Sequence, residues 1–105
     1  MAQYDVYENP SAAQRDAFPY FVVLQSEQLR EYSTRLVMPL SRMPAAVSAL
    51  PRRLAQTVVV RGERLHLAPQ LTAALPRAVL QRPVDSLRDA SAVLLDALDA
   101  VISGV

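Results

Sequence analysis

The sequence contains no cysteine and only two glycines, Gly62 and Gly104, among its 105 residues. Without cysteine the chain has no disulfide and no thiolate that could act as nucleophile or metal ligand. Two isolated glycines cannot form the glycine-rich loop that binds nucleotide phosphates. The single histidine, His66, and the scattered carboxylates show no spacing typical of a zinc or calcium site. The sequence therefore predicts a protein without disulfides, metal ions or cofactors.

Charge and hydropathy argue against two further kinds of partner. Eleven basic and ten acidic residues give a formal net charge of +1, whereas nucleic-acid-binding domains usually carry a strongly basic surface. No apolar run approaches the roughly 20 residues of a membrane-spanning helix, and the N-terminus shows no signal-peptide pattern. The hydrophobic fraction of 51% and the charged fraction of 20% are typical of a folded protein. We therefore expect one cytoplasmic domain over residues 1–105.

The first two-thirds of the chain carry short β patterns separated by turn residues. Alternating or β-branched stretches predict strands at 3–7, 18–24, 35–40, 57–61, 64–67 and 77–80. Gly62-Glu63 predicts a hairpin turn. A loop or short helical turn is expected at 25–32, an irregular segment at 41–54, where two prolines interrupt the chain, and a short helix at 69–75.

The C-terminal segment predicts an amphipathic helix over 85–105. Its apolar residues recur at spacings of three, four and seven and so define one face: Leu87, Leu94, Leu98, Val101 and Val105. Asp85 or Ser86 is the expected N-cap. The helix carboxylates are expected on the solvated face: Asp85, Asp89, Asp96 and Asp99. Short strands followed by one helix predict a mainly β protein with a small, strongly bent antiparallel sheet or barrel.

His66 is the one side chain that suggests catalysis. It lies between Leu65 and Leu67 in a strand pattern, so alternation places it on the opposite face from both leucines and favours an imidazole on the sheet surface. The alternative makes His66 a general base beside Glu63 or Arg64 in a metal-free ribonuclease. Arg61 and Arg64 would then bind the phosphate. The sequence offers no second histidine and no nucleophile–base pair for such a reaction.

The order of segments resembles the CcdB toxins over nearly the whole chain. The resemblance is carried by Gln3-Tyr4-Asp5-Val6-Tyr7, by Phe21-Val22-Val23-Leu24-Gln25-Ser26-Glu27, by Arg35-Leu36-Val37-Met38-Pro39-Leu40 and by the Gly104-Val105 ending. It implies an SH3-like barrel or twisted antiparallel sheet of the CcdB/MazF type with a C-terminal helix. It also implies a homodimer in which the two helix ends lie near each other at the dimer interface.

The function implied by the resemblance is that of a type II toxin–antitoxin toxin. CcdB toxins bind the A subunit of DNA gyrase and trap its cleaved-DNA complex, without being enzymes themselves. A CcdA-type antitoxin neutralises them, and operator DNA is bound only through the toxin–antitoxin complex. The implied gyrase-binding residues of this chain lie in the terminal helix and in one loop: Asp99, Ile102, Ser103, Gly104, Val105, Gln28 and Leu29.

The C-terminus departs from the typical family pattern at one position. Typical plasmid-borne members end in Trp-Gly-Ile, whereas this chain ends in Ser103-Gly104-Val105. Loss of a central aromatic anchor commonly costs about 2–4 kcal/mol of binding free energy, so weaker gyrase binding is expected. Two alternatives to gyrase poisoning stay open: the ribonuclease on the same barrel, and a decayed toxin that retains only antitoxin binding.

Overall fold

A computed structural model describes residues 2–43 and 55–103 of the chain. Within these ranges seven strands form one antiparallel sheet and a single α-helix, α1 (Ser91–Ser103), follows them. The strands are β1 (Asp5–Glu8), β2 (Tyr20–Val23), β3 (Thr34–Ser41), β4 (Thr57–Val60), β5 (Glu63–Leu67), β6 (Ala73–Pro76) and β7 (Pro83–Ser86). The mainly β fold with a C-terminal helix is confirmed.

The long strand β3 organises the sheet, whose order is β4-β5-β3-β2-β1-β7. One edge of β3 pairs with β2, and the other is shared by β6 near its start and β5 at its end. The two ends of the sheet lie close to each other. The Arg61 backbone N–H, at the turn between β4 and β5, donates to Asp85 Oδ2 on β7 at 2.9 Å. The sheet is therefore curled into a half-barrel.

Both faces of the curled sheet are covered. The larger buried cluster joins the concave face to the helix and contains Val6, Val22, Leu24, Met38, Leu40, Val58, Val60, Leu65, Leu67, Leu87, Leu94 and Ala97. A smaller cluster on the other face contains Tyr7, Val23, Val37 and Leu80. Because β2 and the centre of β3 contribute to both clusters, their sequences are continuous apolar runs and do not alternate.

The predicted elements of the C-terminal third need correction. The predicted helix at 69–75 is a 3-10 turn, Pro69–Leu71, followed by strand β6. The predicted strand at 77–80 is another 3-10 turn, Arg77–Val79, and the last strand is β7 instead. Residues 73–76 are extended because they pair with the free edge of β3 from Thr34 to Val37, a tertiary interaction that overrides local helical preference.

The start of the terminal helix was also placed wrongly. Asp85 and Ser86 belong to β7 and pair with β1, so neither is the N-cap of α1, although the Ser86 hydroxyl accepts from the Arg88 N–H at 3.3 Å. A 3-10 turn, Arg88–Ala90, leads into α1 at Ser91. The expected carboxylate row is therefore divided between three elements, and only Asp96 and Asp99 lie in α1.

The hairpin was predicted correctly, but its turn was displaced by one residue. Val60 pairs with Glu63, which leaves Arg61 and Gly62 as the two turn residues. Both have positive φ, 51° and 83°, as a type I′ turn requires. The 3-10 turn Glu27–Leu29 agrees with the loop or helical turn expected at 25–32. Of the irregular segment expected at 41–54, residues 44–54 lie outside the described residues.

Candidate functional site

The outer end of α1 is the most exposed apolar part of the chain's predicted site. Along the helix, Leu94, Ala97 and Ala100 are buried in the core. Leu95, Asp99 and Ile102 recur at spacings of four and three, so they form an exposed stripe on a different side of the helix. Ile102 is 76% exposed, against 0% for Leu94. The helix therefore presents an aliphatic side chain that the fold itself leaves uncovered.

The exposed stripe contains two of the predicted gyrase-binding residues, Asp99 and Ile102. Ser103, the last residue of α1, is exposed next to them. Gly104 and Val105 were also predicted to bind gyrase, and they lie outside the described residues. Covering a largely exposed isoleucine contributes about 1.5–3 kcal/mol. Ile102 is thus the strongest apolar contact that the described part of the helix end can offer to a partner.

The inner half of α1 is fixed to the sheet by packing and by a side-chain hydrogen bond. The helix packs against the 3-10 turns Pro69–Leu71 and Arg88–Ala90. The amide of Gln56 donates to Asp96 Oδ2 at 2.9 Å. Asp96 is therefore part of the attachment between the helix and the residue before β4, and the prediction that it lies on a purely solvated face was wrong. The outer end extends from this fixed base.

Gln28 and Leu29, the other predicted binding residues, lie in the 3-10 turn Glu27–Leu29 between β2 and β3. The Ser26 hydroxyl caps the turn by accepting from the Gln28 N–H at 3.2 Å. The Gln25 amide donates to the Leu29 carbonyl, and its Oε1 accepts from the Leu36 N–H. Leu29 is 45% exposed. These residues are held by β2 and β3, so the predicted site is carried by two separate elements.

The hairpin places the ribonuclease candidates on an outward face. Leu65 and Leu67 are buried, and His66 and Arg64 point to the opposite side, as alternation predicted. Arg64 Nη1 donates to the Thr57 hydroxyl at 3.0 Å, whereas Arg61 lies in the turn beside Asp85. Glu63 is paired with Arg42, with Nε and Oε2 2.8 Å apart. Arg61, Glu63 and Arg64 therefore each make their hydrogen bond or ion pair with a different neighbour.

The surroundings of His66 are mostly apolar. It lines a small cavity of about 220 Å³ together with Phe18, Met43 and Leu71. Within residues 2–43 and 55–103, neither a hydrogen bond nor an ion pair reaches the imidazole. A general base needs an orienting partner and a nearby phosphate-binding group. The described residues give His66 no orienting partner, and Arg64, on the same face, donates to Thr57.

A charge cluster at the β2–β3 end of the fold was missed from the sequence. Arg35 is only 4% exposed although it lies in a strand. It lines a cavity of about 510 Å³ with Ala2, Glu27, Arg30, Glu31 and Arg77. Alternation gave a signal, because Arg35 is two residues from the buried Val37 and so points to the same covered face.

The comparisons with known proteins identify the family. The family model described as CcdB protein matches residues 3–104, which is nearly the full length of the chain. Comparison with curated proteins gives no match. Among the described residues no helix is long and apolar enough to cross a membrane. The match covers the strands, the turn Glu27–Leu29 and the whole of α1. The chain belongs to the CcdB family.

Proposed function

We propose that this toxin of a type II toxin–antitoxin pair acts by binding the A subunit of DNA gyrase and trapping the cleaved-DNA complex. Membership of the CcdB family supports the toxin assignment. The observation that carries the binding mode is the uncovered Ile102 at the end of α1, 76% exposed on a helix whose inner half is fixed in the core. The protein then acts by stoichiometric binding in the cytoplasm, without making or breaking bonds itself.

The binding surface in this proposal has an apolar part and a polar part. Ile102 supplies the main apolar contact, and Asp99 lies on the same exposed stripe of α1. Ser103, Gly104 and Val105 also bind gyrase in this proposal, since a glycine at position 104 permits close approach of the partner backbone. Gln28 and Leu29 add a second contact from the turn Glu27–Leu29. A few well-packed, desolvated side chains near the centre of an interface often supply most of its affinity.

A homodimer is part of the same proposal. The exposed stripe of α1 combines Leu95, which is 47% exposed, with Ile102. A two-fold axis near this stripe would present two copies of the helix end to a symmetric target. A CcdA-type antitoxin would neutralise the dimer, and only their complex would bind operator DNA.

Light scattering tests the dimer. We expect a dimer at about 50 µM, well above a dissociation constant of about 1 µM. Leu95→Glu should shift the equilibrium toward monomer, because it places a charge in an apolar contact. Val59→Glu is the matched control, since Val59 is 49% exposed on β4. A wild-type monomer at that concentration, or equal effects of the two variants, would refute the proposed dimer contact at Leu95.

Gyrase poisoning is tested directly with purified components. A reaction that contains gyrase, plasmid DNA, ATP and the protein should accumulate linear DNA, seen after detergent and protease treatment. A CcdA-type antitoxin should suppress this accumulation. Gyrase from a strain resistant to CcdB toxins is the control and should give no linear DNA. Cleavage of RNA by the protein alone, with no effect on gyrase, would transfer the assignment to the ribonuclease alternative.

A further inference from the structure

The buried guanidinium of Arg35 has fewer acceptors than donors. A guanidinium carries five N–H groups. Nη1 donates to the carbonyls of Tyr32 at 2.6 Å and Thr34 at 2.8 Å, and Nη2 donates to the carbonyl of Arg30 at 2.9 Å. In the described part of the chain, Nε–H and one Nη2–H have no protein acceptor and are left for water or a ligand in the adjoining cavity, and no carboxylate pairs with the group. A buried charge without a counter-ion is unfavourable unless something else compensates it.

The cavity beside Arg35 is positively charged. Its walls carry the guanidinium groups of Arg30, Arg35 and Arg77 and the carboxylates of Glu27 and Glu31, which leaves one positive charge. The two glutamates do not neutralise the buried arginine. Glu31 lies 3.8 Å from Arg30 Nε in an exposed pair, and such pairs contribute little to stability. The remaining charge matches a single monoanion better than a dianion.

The cavity is built on the same element as the predicted binding turn. Arg35 holds the Arg30 carbonyl, and Arg30 directly follows Leu29 at the end of the turn Glu27–Leu29. Arg77 is fixed at the rim because its N–H donates to the Ser33 carbonyl at 2.7 Å. Anything bound in the cavity would therefore adjoin a partner seated on Gln28 and Leu29.

We propose that this cavity binds a carboxylate side chain of the gyrase A subunit, with Arg30 and Arg77 at the rim and Arg35 at the base. The proposal rests on the proposed function and specifies the chemistry of the partner at this turn. Arginine is well suited to the role because its planar fork donates two parallel hydrogen bonds to a carboxylate. Such a contact supplies register and orientation in addition to the apolar contact of the helix end.

The test is the affinity of a purified gyrase A fragment, without DNA, for the double variant Arg30→Gln/Arg77→Gln. Both residues are exposed, so the fold should be retained. We expect affinity to fall by about 10- to 30-fold and to depend less on salt between about 50 and 300 mM NaCl. Arg88→Gln, which removes an exposed charge before α1, is the matched control and should change affinity less than about twofold.

The possible outcomes separate this proposal from the proposed function. If the double variant binds the fragment as tightly as the wild-type protein does, the carboxylate site is overturned and gyrase binding stands. A loss seen only with the gyrase–DNA complex would assign the cavity to a backbone phosphate and overturn the carboxylate. Wild-type protein that does not bind the fragment would overturn both proposals.

Discussion

The inner and outer halves of α1 have similar compositions but opposite relations to the rest of the fold. Leu94 is fully buried in a cluster with residues from five strands, whereas Ile102, eight positions later, is 76% exposed. The identity of Leu94 is constrained by packing within this chain. The identity of Ile102 is not constrained in this way, because none of the described residues covers its side chain. An exposed isoleucine in a helix anchored at its other end is available to a partner without any change to the core.

The largest effect expected from this comparison is on stability. Leu94→Ala should lower the free energy of unfolding by about 3 kcal/mol, because it leaves a cavity at the centre of the larger cluster. Ile102→Ala should change it by less than about 0.5 kcal/mol. Thermal or denaturant unfolding of both variants measures the contrast. Similar losses for the two would mean that the outer end is packed in solution and does not stand free for a partner.

A smaller effect is expected from restoring an aromatic ring at the helix end. Ser103 is exposed at the last turn of α1. Ser103→Trp should strengthen binding to a gyrase A fragment by about 10-fold or more, if a ring face supplies the missing central contact. Ser103→Leu is the matched control, since it adds apolar area without a ring. Equal gains from both variants would attribute the effect to hydrophobic area alone, and no gain from either would place Ser103 outside the interface.

The smallest effect is expected at the hairpin, far from α1 in the chain. If no side-chain chemistry is used, His66→Ala should leave toxicity unchanged and alter stability by about 1 kcal/mol or less. Growth arrest on induced expression is the readout, with His66→Gln as a control for shape. A His66→Ala protein that folds and dimerises normally but is harmless, with RNA cleavage lost in parallel, would favour the ribonuclease.

The strands near the N-terminus were predictable because their signals are local. The residues of β2 and of the centre of β3 are β-branched or otherwise apolar. The same holds further along the chain for the β4–β5 hairpin, where Arg61-Gly62 lies between two short strands with apolar residues. The C-terminal third was harder, since β6 and β7 form only by pairing with strands distant in sequence. Proline cannot donate a hydrogen bond to a neighbouring strand, and Pro83 is accommodated as the first residue of the edge strand β7.

The candidate site was only partly predictable for a related reason. Periodicity identified the terminal helix and correctly placed Leu94 in the core. It also grouped Leu87 and Val101 with Leu94, although Leu87 precedes the helix and Val101 is 38% exposed. Which residues of a helix end stay uncovered depends on where the sheet stops beneath it. The cavity around Arg35 depends similarly on turns from β2–β3 and β6 meeting in space.

The central claim is that the outer end of α1 is a binding element and not a structural one. The most direct test compares full-length protein with a variant that ends at Val101 and so lacks Ile102 and the residues after it, by measuring the affinity of each for a purified gyrase A fragment. We expect affinity to fall by at least about 10-fold, with unfolding temperature and antitoxin binding unchanged. Unchanged affinity in the shortened protein would contradict the claim and leave the helix end with a purely structural role.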